Sequence, residues 1–191
     1  MSGSLRIIAG QARGRRLLSV KRDCVRPTAS RVREALFSIL QSRSSWPGLN
    51  QARIMDLFAG SGALGLEALS RGGAHALFVE ADRPAARILC ENLELCGLRR
   101  QAAVLVQTVE SFLAAPSPWP PADLVFIDPP WEEAAEEAVA RALQPRFLAP
   151  NAMVVVEHPV RRQIPPRLGD LARVDERSYG ATGLAFFQPI C

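Results

Sequence analysis

The sequence has few residues of the kinds that hold metals or form disulfides. It contains two histidines and four cysteines in 191 residues, and no two cysteines have the C-x-x-C spacing. Neither a zinc site nor a disulfide framework is therefore indicated, and we expect reduced thiols and no metal centre. His75 and His158 are too few and too far apart for a metal site or a catalytic triad, so both are interpreted as structural.

Long apolar runs are also lacking. No stretch of eighteen or more apolar residues occurs, and the first five residues contain no hydrophobic signal core. We therefore expect a soluble, cytoplasmic protein without membrane contact. A content of 48% hydrophobic and 22% charged residues is typical of a globular protein.

Lysine is nearly absent, since Lys21 is the only one, and its scarcity explains arginine in its place but not where the positive charge lies. Residues 1–33 hold nine basic side chains and one acid, which leaves 14 basic and 18 acidic residues for the rest of the chain. Clustered positive charge favours contact with a phosphate backbone, although a merely solvated face is the alternative. The candidate nucleic-acid contacts are Arg6, Arg13, Arg15, Arg16 and Arg26.

An apolar run at residues 124–127 leads directly into Asp128, two prolines and Trp131. The run is typical of a buried strand, which predicts a carboxylate at the carboxyl end of that strand, where open α/β sheets bind ligands. Pro129 and Pro130 have no backbone N–H, so no local donor competes for the carbonyls of this loop. Asp128 and a proline carbonyl could accept both hydrogens of an amino group, and Trp131 could stack on a flat base. The alternative is a simple break between strand and turn.

A second motif is the glycine-rich segment at residues 56–65, between a short apolar run and a helical pattern. Gly60 and Gly62 permit a tight turn with close backbone approach to a ligand. The glycine spacing, with Glu80 twenty residues past Gly60, also satisfies the dinucleotide fingerprint. Asp56 separates the two interpretations, because its carboxylate would repel a pyrophosphate but hold the ammonium of an amino-acid-bearing cofactor. It favours S-adenosylmethionine over a nicotinamide cofactor.

Apolar and helical patterns alternate along the rest of the chain and predict a parallel sheet with helical crossovers. A short N-terminal β arm (6–20) and a helix (29–41) come first, and a terminal antiparallel hairpin (171–188) comes last. Strands are predicted at 53–58, 76–80, 103–107, 123–127 and 152–157. The remaining helices are predicted at 62–71, 84–95, 109–114 and 133–144. We divide the chain into an RNA-contacting extension, residues 1–45, and a catalytic domain, residues 46–191.

These motifs, with several others, resemble those of the RsmD family, bacterial methyltransferases of the guanine 2-amino group in 16S ribosomal RNA. The resemblance covers nearly all of the chain. It implies a Rossmann-like class I methyltransferase sheet of seven strands, S-adenosylmethionine as donor, and 16S rRNA or a small-subunit assembly intermediate as partner. We expect a monomer. The further matching segments are 6–10, 14–17, 26–28, 31–37, 79–83 and Asn92-Leu93.

The resemblance also assigns the site residues. The family more often has Phe where this chain has Trp131, and either residue provides a stacking ring. Near the adenine the family usually has Asp or Asn, where this chain has Thr108. Asp82 is a further candidate near the adenosine, but ahead of Pro84 it is interpreted as a helix cap. The predicted catalytic residues are Asp128, Pro129, Pro130 and Trp131. The predicted cofactor-binding residues are Asp56, Phe58, Gly60, Gly62, Glu80, Thr108 and Thr28.

Three other functions use part of this pattern. A DNA amino methyltransferase acting on adenine or cytosine would share both motifs, but 191 residues leave little room for a target-recognition domain. A nicotinamide-dependent dehydrogenase would use the glycine segment without the proline loop. A non-catalytic RNA-binding module would need only the basic arm.

Overall fold

One twisted sheet organises the chain in the computed structural model, which describes residues 5–19, 27–117, 119–130, 135–143 and 145–190. The strand order is β3-β2-β1-β4-β5-β8-β7-β6. The strands are β1 Arg53–Leu57, β2 His75–Glu80, β3 Ala102–Val106, β4 Ala122–Ile127, β5 Leu148–Pro159, β6 Arg167–Leu168, β7 Leu171–Tyr179 and β8 Thr182–Pro189. The helices are α1 Pro27–Ser42, α2 Ala63–Ser70, α3 Arg83–Cys96, α4 Val109–Ala114 and α5 Glu136–Ala142.

The predicted α/β class is confirmed, because β1 to β5 pair in parallel and β8 and β7 close the sheet as an antiparallel hairpin. The predicted number of seven strands is wrong, since the sheet has eight. The added strand is β6, two residues that pair with the start of β7. A pair of residues is too short to show the alternation by which a strand is recognised in sequence.

The central strands are buried on both faces, as their nearly continuous apolar sequences require. On the first face, Ile54, Phe78 and Phe126 pack with residues of α1, α2, α3 and the N-terminal arm. On the second face, Met55 and Val125 pack with residues of α4 and α5. With both faces covered, ligands can reach the central strands at their ends.

The N-terminal arm is a hairpin-like loop rather than a pair of full strands. It has one antiparallel bridge, between Arg6 and Arg16. The backbone N–H of Leu17 donates to the carbonyl of Leu5, 2.8 Å away. Four of its apolar side chains, Leu5, Ile7, Ala12 and Leu17, are buried in the first-face core, so the arm is part of the folded body.

Candidate active site

Four carboxylates lie at or beside the carboxyl ends of adjacent parallel strands. They are Glu80 in β2, Asp56 in β1, Asp128 directly after β4 and Glu157 in β5. Because the neighbouring strands are β2, β1, β4 and β5 in that order, the carboxylates form a row along the edge of the sheet in the order Glu80, Asp56, Asp128 and Glu157. The glycine motif and the proline loop, about seventy residues apart in sequence, thus meet at the edge where open α/β sheets bind ligands.

Asp56 is a buried acid at the base of this edge. It is 2% exposed, and its Oδ2 accepts a hydrogen bond of 2.8 Å from the backbone N–H of Gly65 in α2. Burial raises the pKa of Asp56 well above its usual range; the Gly65 bond opposes this shift, and the charges of Asp128 and Glu80 add to it. A cationic group placed here would stabilise the ionised form.

The glycine turn between β1 and α2 packs closely against α3 at Gly62 and has open space beside Gly60. Phe58 and Gly60 have φ of 63° and 54°, a left-handed conformation that costs about 1–3 kcal/mol in a residue with a side chain. Gly62 has φ of 82°, and a Cβ on it would lie 2.2 Å from the side chain of Leu89, so a larger residue here would be strained and would displace Leu89. A Cβ on Gly60 would meet no atom within 4 Å, so the backbone here is open to a ligand.

Glu80 holds the glycine turn in place. One carboxylate oxygen accepts a hydrogen bond of 2.7 Å from the N–H of Gly60, and the other accepts one of 2.7 Å from the N–H of Asp82. Each oxygen keeps a lone pair for a further donor, such as a ribose hydroxyl. The Asp82 carboxylate accepts from the N–H of Ala85, 3.3 Å away, which confirms that Asp82 caps α3.

The acceptor side of the edge is formed by the proline loop. Asp128 is half-buried, Pro129 is buried and Pro130 is exposed, so the loop passes from the core to the surface directly after β4. Trp131 lies outside the described residues.

Of the remaining predicted cofactor residues, the structure describes the side chain of Thr108 but not that of Thr28. Thr108 is the N-cap of α4, and its hydroxyl accepts a hydrogen bond of 3.2 Å from the backbone N–H of Ser111. The hydroxyl proton is left to donate, so contact with an adenine edge stays a prediction. Thr28 lies in the first turn of α1, and its side chain is outside the described residues, as is the whole of Arg26.

The four described arginines of the basic arm, Arg6, Arg13, Arg15 and Arg16, are all exposed. Between and beside them, Ile7, Ala12 and Leu17 are buried. The positive charge is therefore displayed on a folded surface, which fixes its position relative to the glycine turn.

Sequence reasoning missed the residue that fixes the arm, the fully buried Glu67 of α2. Its two oxygens accept hydrogen bonds of 2.8 and 3.0 Å from the backbone N–H groups of Ile8 and Ala9. Arg71 donates to it at 2.7 Å, and Arg33 lies 3.8 Å away while donating to the carbonyl of Arg6. An acid inside the apolar run of α2 was the available signal, since a buried charge needs partners.

Asn92 of α3 provides a second attachment, nearer the site. It is fully buried; its Oδ1 accepts from the N–H of Leu18 at 2.7 Å, and its Nδ2 donates to the carbonyls of Leu18 and Ser61, both at 2.9 Å. Ser61 belongs to the glycine turn. One side chain therefore joins the end of the basic arm to the turn that borders the site.

Features of two other kinds of protein are absent from the described part of the chain. None of its helices is long and apolar enough to cross a membrane. No group of three or more His, Cys, Asp or Glu side chains among the described residues is arranged to hold a metal ion.

The fold and the edge site together define a class I methyltransferase architecture, with a glycine turn after β1 and an Asp-Pro-Pro loop after β4. The chain belongs to the RsmD family: the family model described as "Conserved hypothetical protein 95" matches residues 5–188. It is similar to ribosomal RNA small subunit methyltransferase D of Escherichia coli K12, with 41% identity over 188 residues, 98% of this chain and 91% of the relative.

Solved structures agree with this assignment. The yhhF protein of Escherichia coli, named as a candidate methyltransferase, superposes with a TM-score of 0.84 at 37% identity, covering 98% of this chain and 99% of that one. A more distant protein, SMU.776, also named as a candidate methyltransferase and solved with S-adenosylhomocysteine, has a TM-score of 0.66 at 13% identity, covering 86% and 50%. At that identity it shows the shared fold alone.

Proposed function

We propose that this protein transfers a methyl group from S-adenosylmethionine to the 2-amino group of a guanine in 16S ribosomal RNA. The observation that carries the proposal is the row of acids along the sheet edge, in which Asp56 and Glu80 flank an open glycine turn and Asp128 stands on the next strand. The RNA class comes from the relatives' names and the basic arm.

The residues present fit the cofactor. The buried carboxylate of Asp56 matches a ligand that carries positive charge, and a pyrophosphate beside it would be repelled. Gly60 leaves open space where the cofactor backbone would approach, and Glu80 offers two carboxylate oxygens for two ribose hydroxyls. Gly60 and Glu80 would suit a dinucleotide equally well, but the Asp56 carboxylate disfavours a nicotinamide-dependent dehydrogenase because it would repel the pyrophosphate.

When bound, S-adenosylmethionine would supply an electrophilic methyl group, which the acceptor nitrogen attacks while the thioether S-adenosylhomocysteine leaves. The methylated nitrogen then loses one proton to a carboxylate such as Asp128 or to water. The chain's part is to orient the acceptor nitrogen, which is weakly nucleophilic because its lone pair is delocalised into the ring. Asp128 and the carbonyl of Pro129 each accept a hydrogen bond from one of its two N–H groups. These hydrogen bonds favour a more pyramidal, electron-rich nitrogen. Positioning and electrostatics then supply most of the catalysis. Trp131 is proposed to stack on the unpaired or flipped base.

The proposed setting follows from the substrate. The enzyme acts in the cytoplasm as a monomer, on 16S rRNA or on a partly assembled small ribosomal subunit. The exposed arginines of the arm contact the phosphate backbone, which positions the RNA without reading its sequence. Arg26, which lies outside the described residues, is proposed to act in the same way.

The test is methyl transfer with tritiated S-adenosylmethionine to naked 16S rRNA and to small subunits from cells lacking the enzyme. We expect label in one of these RNAs, recovered as N2-methylguanosine after nuclease digestion. Calorimetry should show binding of S-adenosylhomocysteine and none of NAD. Label in adenine or cytosine, or binding of NAD alone, would contradict the proposal.

A further inference from the structure

The last acid of the row, Glu157, has no assigned part in the proposed methyl transfer. It lies in β5, next to the strand that ends at Asp128. Ile127 of β4 pairs with Val156 of β5, and Asp128 and Glu157 are the next residues of their chains. The two carboxylates therefore begin from neighbouring positions on strands about 4.8 Å apart.

Strand alternation places Glu157 on the first face of the sheet, and continued past the end of β4 it places Asp128 on the same face. Ile127 and Val156 contribute to the second-face core, and successive residues of a strand point to opposite faces. Glu157 pairs with Leu184, which packs in the first-face core. Glu157 is half-buried, as Asp128 is, so part of each residue is exposed to solvent.

The order of the four carboxylates along the sheet edge matches the order of their proposed partners, from the cofactor to the acceptor base. Glu80 and Asp56 stand on the cofactor side, Asp128 on the acceptor amine, and Glu157 one strand farther from the cofactor. In guanine, the group next to the 2-amino nitrogen on the Watson–Crick edge is N1–H, a second donor. In adenine and cytosine the ring nitrogen beside the amino group is an acceptor, which a carboxylate would repel.

We propose that Glu157 selects guanine by accepting the N1–H hydrogen bond while Asp128 accepts from the 2-amino group. This inference rests on the proposed function and adds the residue that determines which base is accepted. Enzymes that extrude a base read its Watson–Crick edge by such hydrogen bonds. A site built to bond one polar group rejects an analogue that cannot make the bond.

The test uses RNA in which the mapped target guanine is replaced by 2,6-diaminopurine. This base keeps the 2-amino group but has an acceptor at N1. Methyl transfer to both RNAs is compared for the wild type, Glu157→Gln, Glu157→Ala and the control Glu91→Gln, an exposed residue of α3. The Gln variant keeps the size of the side chain and gains an N–H donor suited to the acceptor N1.

We expect the wild type and Glu91→Gln to prefer guanine strongly over diaminopurine. Glu157→Gln should reduce this preference by roughly ten-fold or more, the discrimination of a well-formed pair of base contacts. Glu157→Ala should also reduce it, with affinity for S-adenosylhomocysteine unchanged in both variants. A preference within two-fold of wild type in folded Glu157→Gln, whatever its absolute rate, would overturn the inference. If the wild type methylates no guanine at all, the proposed function itself fails and this inference with it.

Discussion

Glu80, at the end of β2, accepts a hydrogen bond of 2.7 Å from the backbone N–H of Gly60 in the turn after β1. The residue proposed to hold the ribose thus also fixes the turn proposed to hold the rest of the cofactor. Both parts of the cofactor site depend on one carboxylate, which makes Glu80 a sensitive place to test the site.

We predict that Glu80→Ala weakens the affinity for S-adenosylhomocysteine by roughly 1.5–3 kcal/mol, because charge-assisted hydrogen bonds are lost. Calorimetry measures the change. The control is Asp82→Asn, which keeps an oxygen to cap α3 and should leave the affinity nearly as it is. Unchanged affinity in Glu80→Ala with a loss in Asp82→Asn would make Asp82 the ribose partner instead.

The raised pKa of Asp56 predicts a dependence of stability on pH. In the folded protein without cofactor, burial keeps the carboxyl protonated to a higher pH than in the unfolded chain. The folded state therefore binds more protons above the ordinary pKa of Asp, and this residue's contribution to stability falls as pH rises through that window. Thermal unfolding across pH should show Asp56→Asn losing less stability than the wild type over this range.

The same group should couple cofactor binding to proton release. The ammonium of the ligand favours the ionised carboxylate, so the pKa of Asp56 should be lower in the complex than in the free folded protein. Binding of S-adenosylhomocysteine should therefore release a proton at pH values between these two pKa values, and the affinity should rise with pH in that window. Calorimetry in two buffers of different ionisation enthalpy counts the protons released. Equal proton release by wild type and Asp56→Asn would show that another group titrates.

The arm arginines are predicted to act on RNA alone. Replacing Arg13, Arg15 and Arg16 together by Gln should weaken RNA binding and reduce its logarithmic salt slope by roughly 0.7 to 0.9 for each phosphate that is no longer neutralised. The affinity for S-adenosylhomocysteine and the identity of the methylated nucleotide should stay the same. The control is Arg167→Gln, exposed in β6 at the far edge of the sheet. An unaltered slope would mean that the arm is merely solvated.

The buried Glu67 should be needed to hold the arm. Removing one partner of a buried ionic network leaves uncompensated charge, so Glu67→Ala should destabilise the protein by about 3–5 kcal/mol in chemical unfolding. Hydrogen exchange at the amides of Ile8 and Ala9, which bond to Glu67, should speed up. The exposed control variant Glu91→Gln should change stability by less than about 0.5 kcal/mol. Slow exchange retained at both amides in the Ala variant would rule out this attachment.

Much of the fold could be predicted because its signals are local. The apolar runs of β1 and β4 identify buried strands wherever their neighbours lie, and Asp82 ahead of Pro84 identifies the start of α3 from adjacent residues. The short strand β6 gives no such signal, since its pairing with β7 exists only in the folded sheet.

The site was less predictable where one residue has two partners distant in sequence. Glu67 bonds residues about sixty positions earlier, and Asn92 joins Leu18 to Ser61. Thr108 was expected beside the adenine, but its position as the cap of α4 became visible only with the helix in place. Local patterns identify the motifs, and the packing of distant segments decides what else each residue does.

The central claim is that Asp128 acts on the acceptor amine and not on the cofactor. The most direct test is tritium transfer to rRNA by Asp128→Ala, with calorimetry of S-adenosylhomocysteine on the same variant and on the isosteric Asp128→Asn. We predict that methyl transfer by Asp128→Ala is abolished while cofactor affinity stays nearly unchanged. Turnover above about a tenth of wild type, a barrier change below ~1.4 kcal/mol, would contradict the account.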